Sequence, residues 1–163
     1  MWLHLVQHGH AKTEAQDPER PLTDRGAADV RRVAELAAAA GITTGRICHS
    51  GKTRARQTAE AWGQVLGAPV ELAEALAPRD DPSVWAKQVA MNTGDLMLVG
   101  HMPHLGRLAG VLLTDDPERP VVAFQPGALV GLQKSQAGWS VALVLPQPPA
   151  HGRAHRPASP SGQ

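Results

Sequence analysis

An apolar run that breaks at a histidine followed by glycine, Leu3-His4-Leu5-Val6-Gln7-His8-Gly9-His10-Ala11, constrains the chain more than any other stretch. It reads as a first strand with the His8 imidazole at its carboxyl end, the edge where open α/β sheets hold their ligands. Gly9 permits a positive φ or a close approach of backbone to ligand, and N–H groups in such a turn suit a phosphate. A strand-end histidine that only bonds its neighbours is the competing reading, and the fragment alone leaves both open.

The same strand-to-polar-turn-to-helix pattern recurs along the chain. Lys12 to Arg20 is a polar loop, after which Thr23 is a plausible N-cap for a helix over Ala27 to Ala40, with Val30, Val33, Ala34, Leu36 and Ala37 on its apolar stripe and Gly41 as its stop. Arg46 to His49 reads as a second strand, and Ser50-Gly51-Lys52-Thr53-Arg54-Ala55-Arg56-Gln57-Thr58 turns from it into a helix reaching about Leu66. Helix N-termini favour anions, and Ser50, Lys52, Arg54 and Arg56 add donors and charge to this one; a solvated basic face is the alternative. Val70 to Leu72 is a short strand, Asp80-Asp81-Pro82 a turn that caps a helix over Ser83 to Met91, and Leu96 to Val99 a strand buried on both faces. That strand runs into Gly100-His101-Met102-Pro103-His104, a second strand-end histidine beside a glycine. A helix over Leu105 to Leu113 follows, then two closing strands, Ala128 to Gln133 and Trp139 to Leu145, as an edge hairpin. Trp2, Trp62 and Trp139 read as packing residues.

The alternating order predicts an α/β fold, a three-layer α/β/α sandwich around a mostly parallel sheet. The 163 residues suit one domain, residues 1–146, with a disordered Pro/Ser/Gly-rich tail at 147–163 that carries His151 and His155. Lone Cys48 falls in the second strand and reads as a small buried hydrophobe; no disulfide framework is possible, which suits a reducing, cytoplasmic setting. Sixteen basic against fifteen acidic residues give no global pull toward nucleic acid, 3% aromatics make base-stacking platforms unlikely partners, and no apolar run reaches the length of a membrane span.

Three strand ends thus present His8, the Ser50 to Arg56 cluster and His101 to one sheet edge. A neutral imidazole is a competent nucleophile toward phosphorus, and surrounding cations stabilise the transferring oxygens, so the implied reaction is phosphoryl transfer through a phosphohistidine.

Val6-Gln7-His8-Gly9, His49-Ser50-Gly51-Lys52-Thr53-Arg54-Ala55-Arg56-Gln57-Thr58, Val99-Gly100-His101-Met102-Pro103 and Pro21-Leu22-Thr23-Asp24-Arg25-Gly26 together resemble the histidine phosphatase superfamily, also called phosphoglycerate mutase-like. The short length without a large inserted cap is similar to its small SixA-type phosphohistidine phosphatase branch. The resemblance implies a cofactor-independent phosphatase in which His8 is phosphorylated, Arg54 clamps the phosphate, His101 donates to its oxygens and Ser50 and Gly9 border the pocket, with no metal. Arg56, about 200° round the helix from Arg54, faces elsewhere.

The resemblance departs at Gln7, where the motif carries arginine. An amide still donates hydrogen bonds but lacks the charged fork, and losing one such contact at a transition state costs ~2–4 kcal/mol, which predicts a slower enzyme. Lys52 and His10 are the candidates to compensate. Glu74, Asp80 and Asp81 are the candidates for a leaving-group acid, although the SixA-type branch is thought to need none.

The favoured substrate is phosphohistidine on a partner protein, or else a small phosphorylated molecule. Two other readings compete: a non-catalytic phosphate-binding module blunted by Gln7, and a metal-dependent hydrolase using His8, His10, His101 and His104.

Overall fold

The computed structural model describes residues 1–147. Six strands, β1 (Trp2–Gln7), β2 (Arg46–His49), β3 (Val70–Leu72), β4 (Leu96–Gly100), β5 (Leu129–Ser135) and β6 (Gly138–Leu145), form one sheet in the order β3-β2-β4-β1-β5-β6. The first four run parallel and the β5–β6 hairpin closes one edge antiparallel, so the sheet is mostly parallel as the alternating sequence predicts. The helices are α1 (Asp24–Ala39), α2 (Thr53–Leu66), α3 (Pro82–Met91) and α4 (His104–Thr114).

Strand alternation divides the core into two layers. Leu3, Leu5, Leu96 and Leu98 point to one face and pack with Trp85 and Val89 of α3 and Leu105 and Leu108 of α4. Val6, Ile47, Met97 and Val99 point to the other and pack with Val30 and Val33 of α1 and Ala55 and Trp62 of α2. β4 lies between β2 and β1 and is buried along its whole length, which is why its sequence is continuously apolar. Cys48 is buried among these residues, as a small hydrophobe.

The local signals act where the sequence places them. Thr23 accepts the Gly26 N–H at 2.9 Å as N-cap of α1, and Gly41 and Gly67 take the left-handed turns, φ 78° and 66°, that end α1 and α2. Asp81 caps α3 through Ser83, and Asp80 accepts from the Ala77 N–H at 2.7 Å. Helix starts fall one to three residues earlier than the periodicity suggests because caps and first turns carry no apolar signal. The expected tail lies outside the described residues, His151 and His155 with it, except Gln147, whose amide donates to Asp29 at 2.9 Å.

Gly26 does more than begin a helix. A Cβ there would run into the His10 carbonyl oxygen, the same oxygen that accepts the Thr23 N–H at 3.0 Å, so α1 presses directly on the backbone just beyond β1. Gly26→Ala therefore lowers stability by about 1–3 kcal/mol despite alanine's better helix propensity, while Gly94→Ala, with open space around it, stays within about 0.5 kcal/mol. Chemical denaturation reads both, and a stabilised Gly26→Ala would show that the close approach is not tight.

Candidate active site

Sheet order brings the sequence-distant groups together. β2, β4 and β1 are successive neighbours, so Ser50, His101 and His8, the residues that follow them, stand in a row at one edge. The β1–β4 register pairs Gln7 with Gly100, and the His8 N–H extends that ladder to the Gly100 carbonyl at 3.1 Å. The His8 and His101 rings are 4.9 Å apart, centroid to centroid. Arg54, on the first turn of α2, reaches across and its Nε donates to His8 Nε2 at 3.1 Å. Ser50 Oγ lies 2.6 Å from His101 Nε2. The α2 N-terminus has no side-chain cap, which leaves its positive end facing this edge.

Hydrogen bonding sets the tautomer of His8. Its Nδ1 is 2.8 Å from the Gly9 carbonyl, which only accepts, so Nδ1 carries the proton and Nε2 holds the lone pair that meets Arg54. Burial, then the nearby charges of Arg54, Arg20 and His10, hold the imidazole down to about 4 against the pull of the Gly9 carbonyl. His101 is held down to about 3, by burial first and then by His8, Arg54, Lys52 and His104. Both rings are neutral at pH 7. The charges that act most on them are cations and other histidines.

The other sequence-predicted residues fall at different distances from this centre. Gly9 does not take a positive φ. It is needed because a Cβ would meet Val30 Cγ2 at 2.6 Å, and its N–H is engaged by Thr58 Oγ1 at 3.1 Å, so the close approach is to α1 and not to a ligand. Gln7 is half-buried with Oε1 unpartnered. Lys52 and His10 are exposed, near enough for their charges to act on His101 and His8 respectively. Arg56 faces away, paired with Glu60 at 3.2 Å. Asp80 and Asp81 are occupied in the turn before α3, and the Glu74 carbonyl accepts from Trp85 at 3.0 Å.

No group of three or more His, Cys, Asp or Glu suited to a metal ion occurs among the described residues. At His8 both nitrogens are already engaged, one with the Gly9 carbonyl and one with a cationic N–H, the partner least compatible with a metal ion.

Sequence reasoning missed Thr58, Gln57 and Arg20. Thr58 ties α2 to the β1 turn, donating to the Arg54 carbonyl at 2.7 Å, and Gln57 accepts the Leu22 N–H at 2.8 Å. Both lie inside the stretch that carries the family resemblance. Arg20 gave no signal, since it ends a loop that reads as polar cover.

Comparison with known proteins agrees with this fold. Residues 3–82 match the histidine phosphatase superfamily (branch 1). An uncharacterized protein of Picosynechococcus sp. is 35% identical over 117 residues, which span 67% of this chain and 71% of that protein. Among solved structures, the protein histidine phosphatase SixA complexed with tungstate superposes with a TM-score of 0.78 at 22% identity, covering 89% of this chain and 96% of that one. The alpha-ribazole phosphatase of Shigella flexneri gives 0.67 at 15% identity, covering 88% and 96%. These likenesses establish the fold. No helix among the described residues is long and apolar enough to cross a membrane. With the family match, the curated relative and the shared fold in agreement, the chain belongs to branch 1 of the histidine phosphatase superfamily and is a phosphatase.

Proposed function

We propose that this phosphatase hydrolyses phosphohistidine on a partner protein through a phosphoryl group carried on His8, without a cofactor. The observation that carries the reading is the neutral His8 ring, proton on Nδ1 and lone pair on Nε2, with Arg54 fixed beside that lone pair. In the first step the lone pair forms the Nε2–P bond as the P–N bond to the substrate imidazole breaks, and that imidazole leaves neutral when its other nitrogen already carries a proton. In the second step water attacks phosphorus, the Nε2–P bond breaks and inorganic phosphate departs with His8 restored. Arg54 neutralises charge on the equatorial oxygens. His101 donates from Nε2 to the same oxygens, since a bare Nδ1 lone pair in its buried, unpartnered position costs less than an unpartnered N–H. Ser50, 2.6 Å away, holds that ring in place until substrate arrives.

Two features favour phosphohistidine over an alkyl phosphate. The charges that act most on both rings are cations and histidines rather than a carboxylate, and an alkoxide leaving group needs a proton donor far more than an imidazole does. The connections around His101 are also short, residues 50–52 and 101–103, and the longer β1–α1 loop, residues 8–23, is tied down by its own hydrogen bonds, with no further domain inserted among the described residues to enclose a small substrate. A SixA structure is among the solved structures with this fold, in agreement with this preference.

His8→Ala is expected to abolish turnover of a phosphohistidine protein and the acid-labile phosphate adduct left by phosphoramidate. Alkyl phosphates are expected to react about 100-fold slower than p-nitrophenyl phosphate, whose leaving group needs little acid. Full activity in His8→Ala would contradict the mechanism, and equal rates on both esters would contradict the absence of an acid.

The pH dependence has a definite sign. Neutral His8 is the reactive form, so kcat/KM, corrected for substrate ionisation, stays level from pH 8 to about 5 and falls only as His8 protonates near its value of about 4. His8 and His101 bind protons more weakly when folded than when unfolded. Their contribution to stability is therefore complete above about 6.5 and is lost as pH falls toward the folded values. A rate that halves near pH 6.5 would overturn the assignment. Chelators are expected to leave activity intact while orthovanadate inhibits; loss of activity with chelator and recovery with a divalent cation would favour the metal-dependent reading.

A further inference from the structure

The loop between β1 and α1, residues 8–23, is tied down along its length. The Lys12 N–H donates to the Pro21 carbonyl at 2.8 Å, Ala11 bridges Leu22, and Thr53 at the start of α2 donates to Glu19 at 3.2 Å. These ties hold Arg20 at φ 49°, in the left-handed region where any residue with a side chain is strained and glycine is not. Strain of this kind persists where the surroundings demand it, and it concentrates at functional sites.

The Arg20 side chain is directed as well as strained. Its Nε donates to the Lys12 carbonyl at 3.3 Å, and no ion pair among the described residues engages it or Arg54, unlike Arg25, Arg31, Arg46, Arg56 and Arg107. Arg20, Lys52 and Arg54 line one open cavity of about 340 Å³; of the two carboxylates that also line it, Glu14 and Glu19, both are exposed and Glu19 accepts from Thr53. Arg20 shares this cavity with Arg54, whose Nε donates to His8 Nε2 at 3.1 Å, and its charge acts on both Arg54 and His8. Two guanidiniums that no ion pair among the described residues engages repel each other until an anion enters between them. At the end of β1, by contrast, Gln7 contributes a neutral amide whose Oε1 is buried without a partner.

We propose that Arg20 is the second guanidinium of the phosphate site, reaching the transferring phosphoryl group from the β1–α1 loop and supplying the charge that Gln7 does not. A phosphoryl group carries close to two negative charges, and Arg54 alone leaves it under-neutralised; a second planar fork adds both charge and direction. The proposal rests on the phosphoryl-transfer reading above and assigns the site's second fixed charge to a loop instead of a strand end.

The full-length protein tests it with p-nitrophenyl phosphate as substrate and inorganic phosphate as inhibitor. Arg20→Gln is expected to lower kcat/KM about 100-fold and to weaken phosphate inhibition about tenfold, with Arg20→Lys recovering only part of either loss. Adding Gln7→Arg to Arg20→Gln is expected to restore activity at least about tenfold, because a guanidinium returns to the same anion from the other side. Arg20→Gly separates function from folding: it relieves the strained backbone, so its thermal midpoint is no lower than the parent's while its activity falls with that of Arg20→Gln. Arg20→Gln within twofold of the parent, beside an inactive His8→Ala, would overturn the proposal and leave the phosphoryl-transfer reading standing. A lowered midpoint in Arg20→Gly with no rescue by Gln7→Arg would overturn it too, making Arg20 a loop-folding residue. Activity retained in His8→Ala would overturn the reading and the proposal together.

Discussion

Everything at this site depends on the pairing of β1 with β4. The two strands are distant in sequence but parallel neighbours in the sheet, and the final rungs of their ladder, Gln7 with Gly100 and the His8 N–H on the Gly100 carbonyl, set His8 and His101 side by side. A parallel register is specified by burial on both faces, because a slip of one residue would turn Leu3 and Leu5 toward α1 and α2 and Val6 toward α3 and α4. Core packing and active-site geometry are therefore one constraint. What fixes the apolar alternation also fixes the distance between the two imidazoles.

The second consequence is electrostatic. Burial beside cations makes both histidines neutral, which suits a nucleophile and a hydrogen-bond donor better than a pair of like charges. That neutrality is obtained at the expense of acid stability, since the unfolded chain takes up protons that the folded one resists. His4, His49 and His104 are buried and held down in the same way, chiefly by desolvation, so the acid sensitivity belongs to the whole fold and not only to its active edge. The guanidiniums that add to burial, Arg54 at both rings and Arg20 at His8, stand in no ion pair among the described residues.

Much of this was legible in the sequence. His8, Ser50, Arg54 and His101 announce themselves because a strand end followed by a glycine or a polar turn is a local pattern, and the alternating order of elements predicts that such ends share an edge. The outward turn of Arg56 followed from helical geometry, and the capping of α3 by Asp81 from turn chemistry. What was hidden depends on close approach between distant segments. Gly9 suggested a ligand, yet the atom it makes room for is Val30 of α1; Gly26 read as a helix start, yet it clears the His10 carbonyl. Arg20 was invisible because nothing in a polar loop declares which of its cations the folded backbone will turn inward.

The central claim is the state of one ring: His8 neutral, protonated on Nδ1, with its lone pair on Nε2 toward Arg54. Long-range nitrogen–proton correlation NMR of the histidine-labelled protein reads this directly. The account predicts a pyrrole-type Nδ1 and a pyridine-type Nε2 for His8 that hold unchanged from pH 8 to about 5. A ring that titrates near 6.5, or one that carries its proton on Nε2, would contradict it.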